Sequence, residues 1–255
     1  MRVVVLIKQV PQNAEVFFNP DHTIDRQHCL KEMNPADKCA LLHAVKAFHG
    51  PDDEITAVSL GPSYAEDVLR EAVALGAQAG VLLEDACFAG SDTYATARIL
   101  AAALKKLNPD LVLCGRRSID GETGQVGPEL SVQLQIGCLT NVMHFACSKG
   151  TITAERLMTG YVETVTAKLP AVVTVVENMD VAALPSLAGL RRAAEAKITR
   201  WNRGDIELDA EACGLSGSKT RVAGWHAARS GVRVPTFLRG TEAGAAAIKE
   251  LLEKL

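Results

Sequence analysis

The sequence predicts an α/β protein: a doubly wound, mostly parallel sheet with a partly antiparallel extension and an extended C-terminal arm. Three observations predict it. Over the first 135 residues, short apolar runs alternate with helical segments, the order of βαβ units. After Gly137, strand signals follow one another, separated by polar turns. From Lys197 onward the periodicity fades, and Arg203–Thr236 is rich in Gly, Ser, Arg and Lys. The expected division is therefore residues 1–196 as the α/β domain and residues 197–255 as an arm closed by a helix.

The elements follow in order. Val3–Ile7, Ile55–Leu60, Gly80–Leu83 and Leu111–Cys114 are short apolar runs, as parallel strands covered on both faces require. Between the first two, Ala14–Asp25 reads as a small hairpin turning near Asn19-Pro20-Asp21-His22. Ala36–Phe48 carries apolar residues at helical spacing. Tyr64–Leu75 has acids early and an arginine later, which suits the helix dipole. Thr93–Leu107 is rich in Ala and Leu and ends in Lys105 and Lys106. A further helix is expected at Glu129–Leu134. Strands are expected at Thr140–Ala146, Thr151–Arg156, Tyr161–Ala167 and Ala171–Val176. Leu184–Ala196 is a basic, helix-like segment, and Glu242–Leu255 is the closing helix.

Composition narrows the function. Charged residues make up 22% and aromatics 4%, the balance of a soluble protein with an aliphatic core. A net charge of −3 argues against a nucleic-acid or anionic-membrane surface. No apolar run approaches the ~18 residues of a membrane span, and the first residues lack a signal-peptide pattern. A cytoplasmic location is expected. The seven cysteines form no CxxC pair and no zinc spacing, so buried thiols in a reducing compartment are the ordinary reading. No GxSxG, HExxH or carboxylate pair stands out, and the six histidines are scattered. That favours a cofactor carrier over a hydrolase, with no catalytic residue and no metal site expected.

In a doubly wound sheet, ligands bind beyond the carboxyl ends of the strands. Gly115–Pro128, GRRSIDGETGQVGP, follows a strand there. Its glycines permit close backbone approach, and the helix start beyond it offers free N–H groups to phosphate. Asp120, Glu122 and Gln125 are suited to ribose hydroxyls or an adenine edge. The alternative is a long polar loop with a capping acid. Phe88–Thr96, FAGSDTYAT, opens the preceding helix, where Ser91 or Asp92 is a helix cap and the same positive end suits phosphate. Ser59-Leu60-Gly61-Pro62 follows another strand, and Asn34-Pro35-Ala36-Asp37 precedes a helix with proline near its first position.

Taken in order, VVVLIKQVP, Asn34-Pro35 with Asp37, AVSLGP, AEDVLREAVALGA, FAGSDTYAT, DLVLCGRRSIDGETGQVGPEL, KLPAVVTVVE, ALPSL and GLSGSKTRV resemble the β subunit of electron transfer flavoproteins over nearly the whole chain. The resemblance implies a Rossmann-like fold of the adenine-nucleotide α-hydrolase kind. It implies an α-subunit partner that carries its own FAD and is wrapped by the arm. It also implies electron exchange with an acyl-CoA dehydrogenase-type flavoenzyme.

Family β subunits bind either AMP, in a structural role, or a second FAD. The FAD type can take part in electron bifurcation with NADH and with ferredoxin or flavodoxin as further partners, hydride uptake occurring only in the heterodimer. By the resemblance, the cofactor pocket comprises Leu6, Asn34, Pro35, Ala36, Asp37, Leu60 and Gly61. It continues through Gly115, Arg116, Arg117, Ser118, Ile119, Asp120, Gly121, Glu122, Thr123, Gly124, Gln125 and Val126. Gly90, Ser91, Asp92, Thr93 and Thr96 match an element of the FAD-binding type, as does Asp120–Pro128 with Glu122 at a position where that type has Asp. FAD is therefore the expected cofactor and AMP the alternative. Leu184 and Pro185 resemble the loop that docks a partner dehydrogenase, with Arg191 and Arg192 as steering charges. A nucleotide-binding sensor on the same fold is the reading from a different class.

Overall fold

The computed structural model describes residues 1–12, 30–177, 184–224, 237–238 and 240–253. The chain divides into two units, Met1–Arg221 and Val222–Leu255.

In the first unit the chain runs β1 (Arg2–Leu6), β2 (Gln9–Pro11), β3 (Lys31–Met33), α1 (Pro35–Ala47), β4 (Glu54–Leu60), α2 (Glu66–Leu75), β5 (Ala79–Leu83) and α3 (Thr93–Leu107). It continues with β6 (Leu111–Gly115), α4 (Val126–Leu134), β7 (Gly137–Ser148), β8 (Thr151–Met158), β9 (Tyr161–Lys168), β10 (Ala171–Val175), α5 (Leu187–Glu195), β11 (Thr199–Trp201) and α6 (Gly214–Gly217). Nine strands form one sheet in the order β11-β5-β4-β1-β6-β10-β7-β8-β9. All neighbours are parallel except β7–β8 and β8–β9. The predicted parallel core and antiparallel extension are both present.

Strand alternation sorts the core into two layers. Val3 and Val5 of β1 join Leu41 of α1 and Leu69 of α2. Val4 and Leu6 join Ile99 and Leu104 of α3 and Leu130 of α4. Each fully buried Leu or Ile contributes about 1.5–3 kcal/mol, so both helical layers are needed to cover an aliphatic sheet.

β7 starts at Gly137, three residues before the strand read from sequence. Its first part pairs with β10 and its second part with β8, and the register shifts between Val142 and His144. Lys149 and Gly150 both take positive φ, which a two-residue hairpin turn requires.

β11 adds an edge next to β5. Three residues carry no readable period, and only the pairing with β5 makes them a strand. The stretch from Thr199 to Arg221, read from sequence as the start of an arm, belongs to the first compact unit. The predicted hairpin Ala14–Asp25 lies outside the described residues. Its flanks, β2 and β3, pair antiparallel.

The second unit contains α7, Thr241–Leu252, which buries no residue and exposes Ile248, Leu251 and Leu252. No helix among the described residues is long and apolar enough to cross a membrane.

Candidate functional site

The chain passes from β1 outward to β4 and β5, then returns to β6 on the other side of β1. The strand order therefore reverses between β1 and β6, and the carboxyl ends of this switch point are where doubly wound sheets form their ligand crevice. Leu6 ends β1, and Gly115 ends β6. Leu60 ends β4, with Gly61 just beyond it and bonded to β5 through its N–H.

Asn34 and Asp37 build the walls. Both are buried. Asp37 Oδ2 accepts from the Lys8 N–H at 2.9 Å, and its Oδ1 accepts from the Gly115 N–H at 2.7 Å. One carboxylate thus ties the start of α1 to the ends of β1 and β6. Asn34 Nδ2 donates to the Arg117 carbonyl at 3.0 Å, and its Oδ1 accepts from the Ile119 N–H at 3.2 Å. Ala36 is buried beneath the same crossing. A Cβ on Gly115 would stand 2.5 Å from Asp37 Oδ1 and 2.7 Å from the Ala36 Cβ, so the close approach of α1 to β6 needs glycine there.

Burial pushes the Asp37 carboxyl up to about 6, because desolvation outweighs the hydrogen bonds from Lys8, Gly115 and Asn34 that favour the anion.

The loop 115–125 runs over this floor. Lys8 Nζ donates to Asp120 Oδ1 at 2.7 Å and to Ser118 Oγ at 3.4 Å. The Asp120 side chain is only 4% exposed. Arg117 and Glu122 form an exposed ion pair at 3.5 Å. Glu122 and Gly124 take positive φ at the crown, while Arg116, Gly121, Thr123 and Gln125 face solvent. α4 then starts at Val126, three residues earlier than the sequence indicated. Gly127 makes the early start possible, since a Cβ there would overlap the Thr174 side chain of β10.

Among the described residues, no side chain caps the first N–H groups of α1, which begins at Pro35, or of α4. Both positive ends are therefore available to an anion. Gln9 Oε1 and Ser59 Oγ, beside the ends of β1 and β4, are buried without a hydrogen-bond partner. The donor set, the glycine-tight floor and the two uncapped helix starts fit an adenine nucleotide.

The α3 start is arranged differently. Asp92 caps the helix through the Ala95 N–H at 2.9 Å. Its Oδ2 also accepts from the N–H groups of Lys219 and Thr220 and from the Thr220 hydroxyl, at 2.7–2.9 Å. Burial raises the Asp92 carboxyl's pKa, but these bonds more than offset it and hold the group below the usual range. Ser91 Oγ accepts from the Gly214 N–H, and Gly90 lies against Leu215. The segment 214–220 thus covers Gly90, Ser91 and Asp92. Thr93 instead reaches toward the other helix, donating to Glu129 Oε1 of α4 at 3.1 Å. Burial, with the nearby Asp92 charge, raises the Glu129 carboxyl. Thr96 sits half-buried one turn further along α3.

Leu184 and Pro185 stand apart from both groups. They lead into α5, which packs on α2, where Arg70 Nη1 donates to the Ala193 and Ala196 carbonyls. Leu184 is 93% exposed, and Leu187 and Leu190 continue an exposed apolar face. Two contributors were absent from the sequence reading: Lys8 and Glu129. Lys8 had a legible signal, because it follows a buried strand at the edge where ligands bind. Glu129 had none, because its role depends on α3 packing beside α4. Cys87, Cys114, Cys138, Cys147 and Cys213 form no disulfide, and no metal-binding group of three or more His, Cys, Asp or Glu occurs among the described residues.

Residues 21–206 match the electron transfer flavoprotein domain family. The chain is 37% identical over 257 residues to the electron transfer flavoprotein subunit beta of Thermoanaerobacterium thermosaccharolyticum, covering 100% of this chain and 96% of that one. It is 38% identical over 225 residues to the caffeyl-CoA reductase-Etf complex subunit CarD of Acetobacterium woodii, covering 87% and 86%. It is 39% identical over 232 residues to protein FixA of Bradyrhizobium diazoefficiens, covering 87% and 81%.

Proposed function

Because the chain belongs to the electron transfer flavoprotein family, on its β-subunit branch, we propose that it pairs with an α subunit and holds FAD in the crevice between β1 and β6. In that heterodimer it passes electrons between an acyl-CoA dehydrogenase-type flavoenzyme and a second carrier. The observation that carries the reading is the hydrogen-bonded geometry at this switch point. Asn34, Asp37 and Gly115 lock its floor, and the uncapped starts of α1 and α4 flank it.

Within the crevice, Leu6, Leu60 and Ala36 supply the apolar contact for an adenine ring. The loop Gly115–Val126 supplies backbone N–H groups for ribose and phosphate, and its exposed Arg116 adds a cation. Thr93 and Glu129, on the facing starts of α3 and α4, are placed for the part of the cofactor beyond the adenosine. FAD, when bound, supplies a flavin that accepts and releases electrons, while the protein supplies binding, orientation and electrostatics. Leu184, on its exposed face, is the anchor for the partner dehydrogenase.

One observation favours AMP as the second reading. The polar groups of Ser91 and Asp92 are already taken up by residues 214–220. Acid extraction of the purified α–β complex separates the two. Two FAD per heterodimer supports the FAD reading, while one FAD with one AMP replaces it. The match of Gly90, Asp92, Thr93 and Thr96 to the FAD-binding type extends the proposal to bifurcation with NADH and ferredoxin or flavodoxin. Reduction of the complex by NADH, followed in the flavin absorbance, tests that step.

A further inference from the structure

Lys8 touches both walls of the crevice. Its N–H donates to Asp37, and its carbonyl accepts from the Asn34 N–H at 2.9 Å. Its ammonium reaches across to Asp120 and Ser118 in the overlying loop. The Asp120 carboxylate is almost fully enclosed, at 4% exposure, whereas the Lys8 side chain is 45% exposed and lies at the rim. Removing the ammonium takes one cation from an enclosed carboxylate and one donor from Ser118, so the loop keeps this shape only at a cost. Asp120 is therefore turned inward to the protein, although its residue type alone suited it to a ribose hydroxyl.

We propose that Lys8 is the positioning residue that clamps the loop 117–122 over the crevice, and that it thereby sets how long an adenine nucleotide is retained. This rests on the nucleotide reading of the site. Asn34 holds the loop backbone at Arg117 and Ile119 from one side. Lys8 holds it by charge at Ser118 and Asp120 from the other. The two grips differ in kind: the amide grip is independent of charge, and the lysine grip is lost with it.

The test uses the α–β complex with Lys8→Met, Lys8→Arg, Asp120→Asn and the Lys8→Met/Asp120→Asn double variant. Release of bound AMP or FAD after dilution is measured together with amide hydrogen exchange across residues 117–122. Lys8→Met is expected to release nucleotide about tenfold faster, and to raise exchange in the loop, because an enclosed carboxylate is left without this cation. Lys8→Arg should stay within about threefold of wild type, since it keeps the charge. The double variant should lose less than the sum of the two single variants, because each single change removes the same Lys8–Asp120 contact. Wild-type release rates in Lys8→Met overturn the proposal, as does a double variant whose loss equals the sum of the two single losses. Should the wild-type complex hold no nucleotide, the reading of the site fails. Loop exchange in Lys8→Met then still decides the clamp, and unchanged protection refutes it.

Discussion

Asp37→Asn isolates the electrostatic cost of building the crevice floor. In the wild type both carboxylate oxygens accept backbone N–H groups, from Lys8 and Gly115. An amide keeps the shape but has one acceptor oxygen, so one N–H loses its partner. That loss costs about 1–3 kcal/mol at any pH. The pH-dependent part comes from the carboxyl, whose pKa rises from 3.8 to about 6 on burial.

The native state therefore binds the proton more tightly than the unfolded state, and stability from this group falls as pH rises through the native value. Relative to high pH, the full contribution of about 3 kcal/mol is present only below the unfolded value, from 1.36 kcal/mol per pKa unit. Between about pH 8 and about pH 5 it amounts to about 1.4 kcal/mol. The assay is urea unfolding of both proteins at several pH values. The wild type should gain about 1.4 kcal/mol over Asp37→Asn on going from about pH 8 to about pH 5. Parallel profiles would refute the reasoning, because they would mean that Asp37 is not buried as a charge. A wild type that loses ground as pH falls would reverse its sign.

Other perturbations probe the remaining parts. Gly115→Ala drives a Cβ into Asp37 and Ala36. It should destabilise by about 1–3 kcal/mol in thermal unfolding and lower the nucleotide content of the purified complex. Asp92→Ala removes the α3 cap, worth about 1 kcal/mol, and frees Lys219 and Thr220. Hydrogen exchange should rise at residues 218–220 and stay constant at 115–122. Leu184→Ala should leave stability within about 0.5 kcal/mol, since the side chain is exposed, while slowing electron transfer with a dehydrogenase partner in stopped-flow measurements.

The sequence by itself determined the sheet and marked the strand ends at which the site is proposed. Val3–Leu6, Leu111–Leu113 and Ala171–Val173 are apolar on both faces, and only a strand between two helical layers buries both. The glycines and proline of Gly115–Pro128 marked a loop at a strand's carboxyl end, and the order of motifs identified the family. Tertiary structure decided which polar side chains are spent on bonds within the protein. Asp120, Asp92 and Ser91 looked alike in sequence as polar residues beside glycine. Packing turned Asp120 toward Lys8, and Asp92 and Ser91 toward residues 214–220. Their partners lie more than 100 residues away in the chain. A periodicity reading reports which face a residue lies on, whereas a hydrogen bond across that separation exists only once the chain has folded. For the same reason β11 was invisible, and Lys8, legible as the end of a strand, became a clamp only when the loop closed over it.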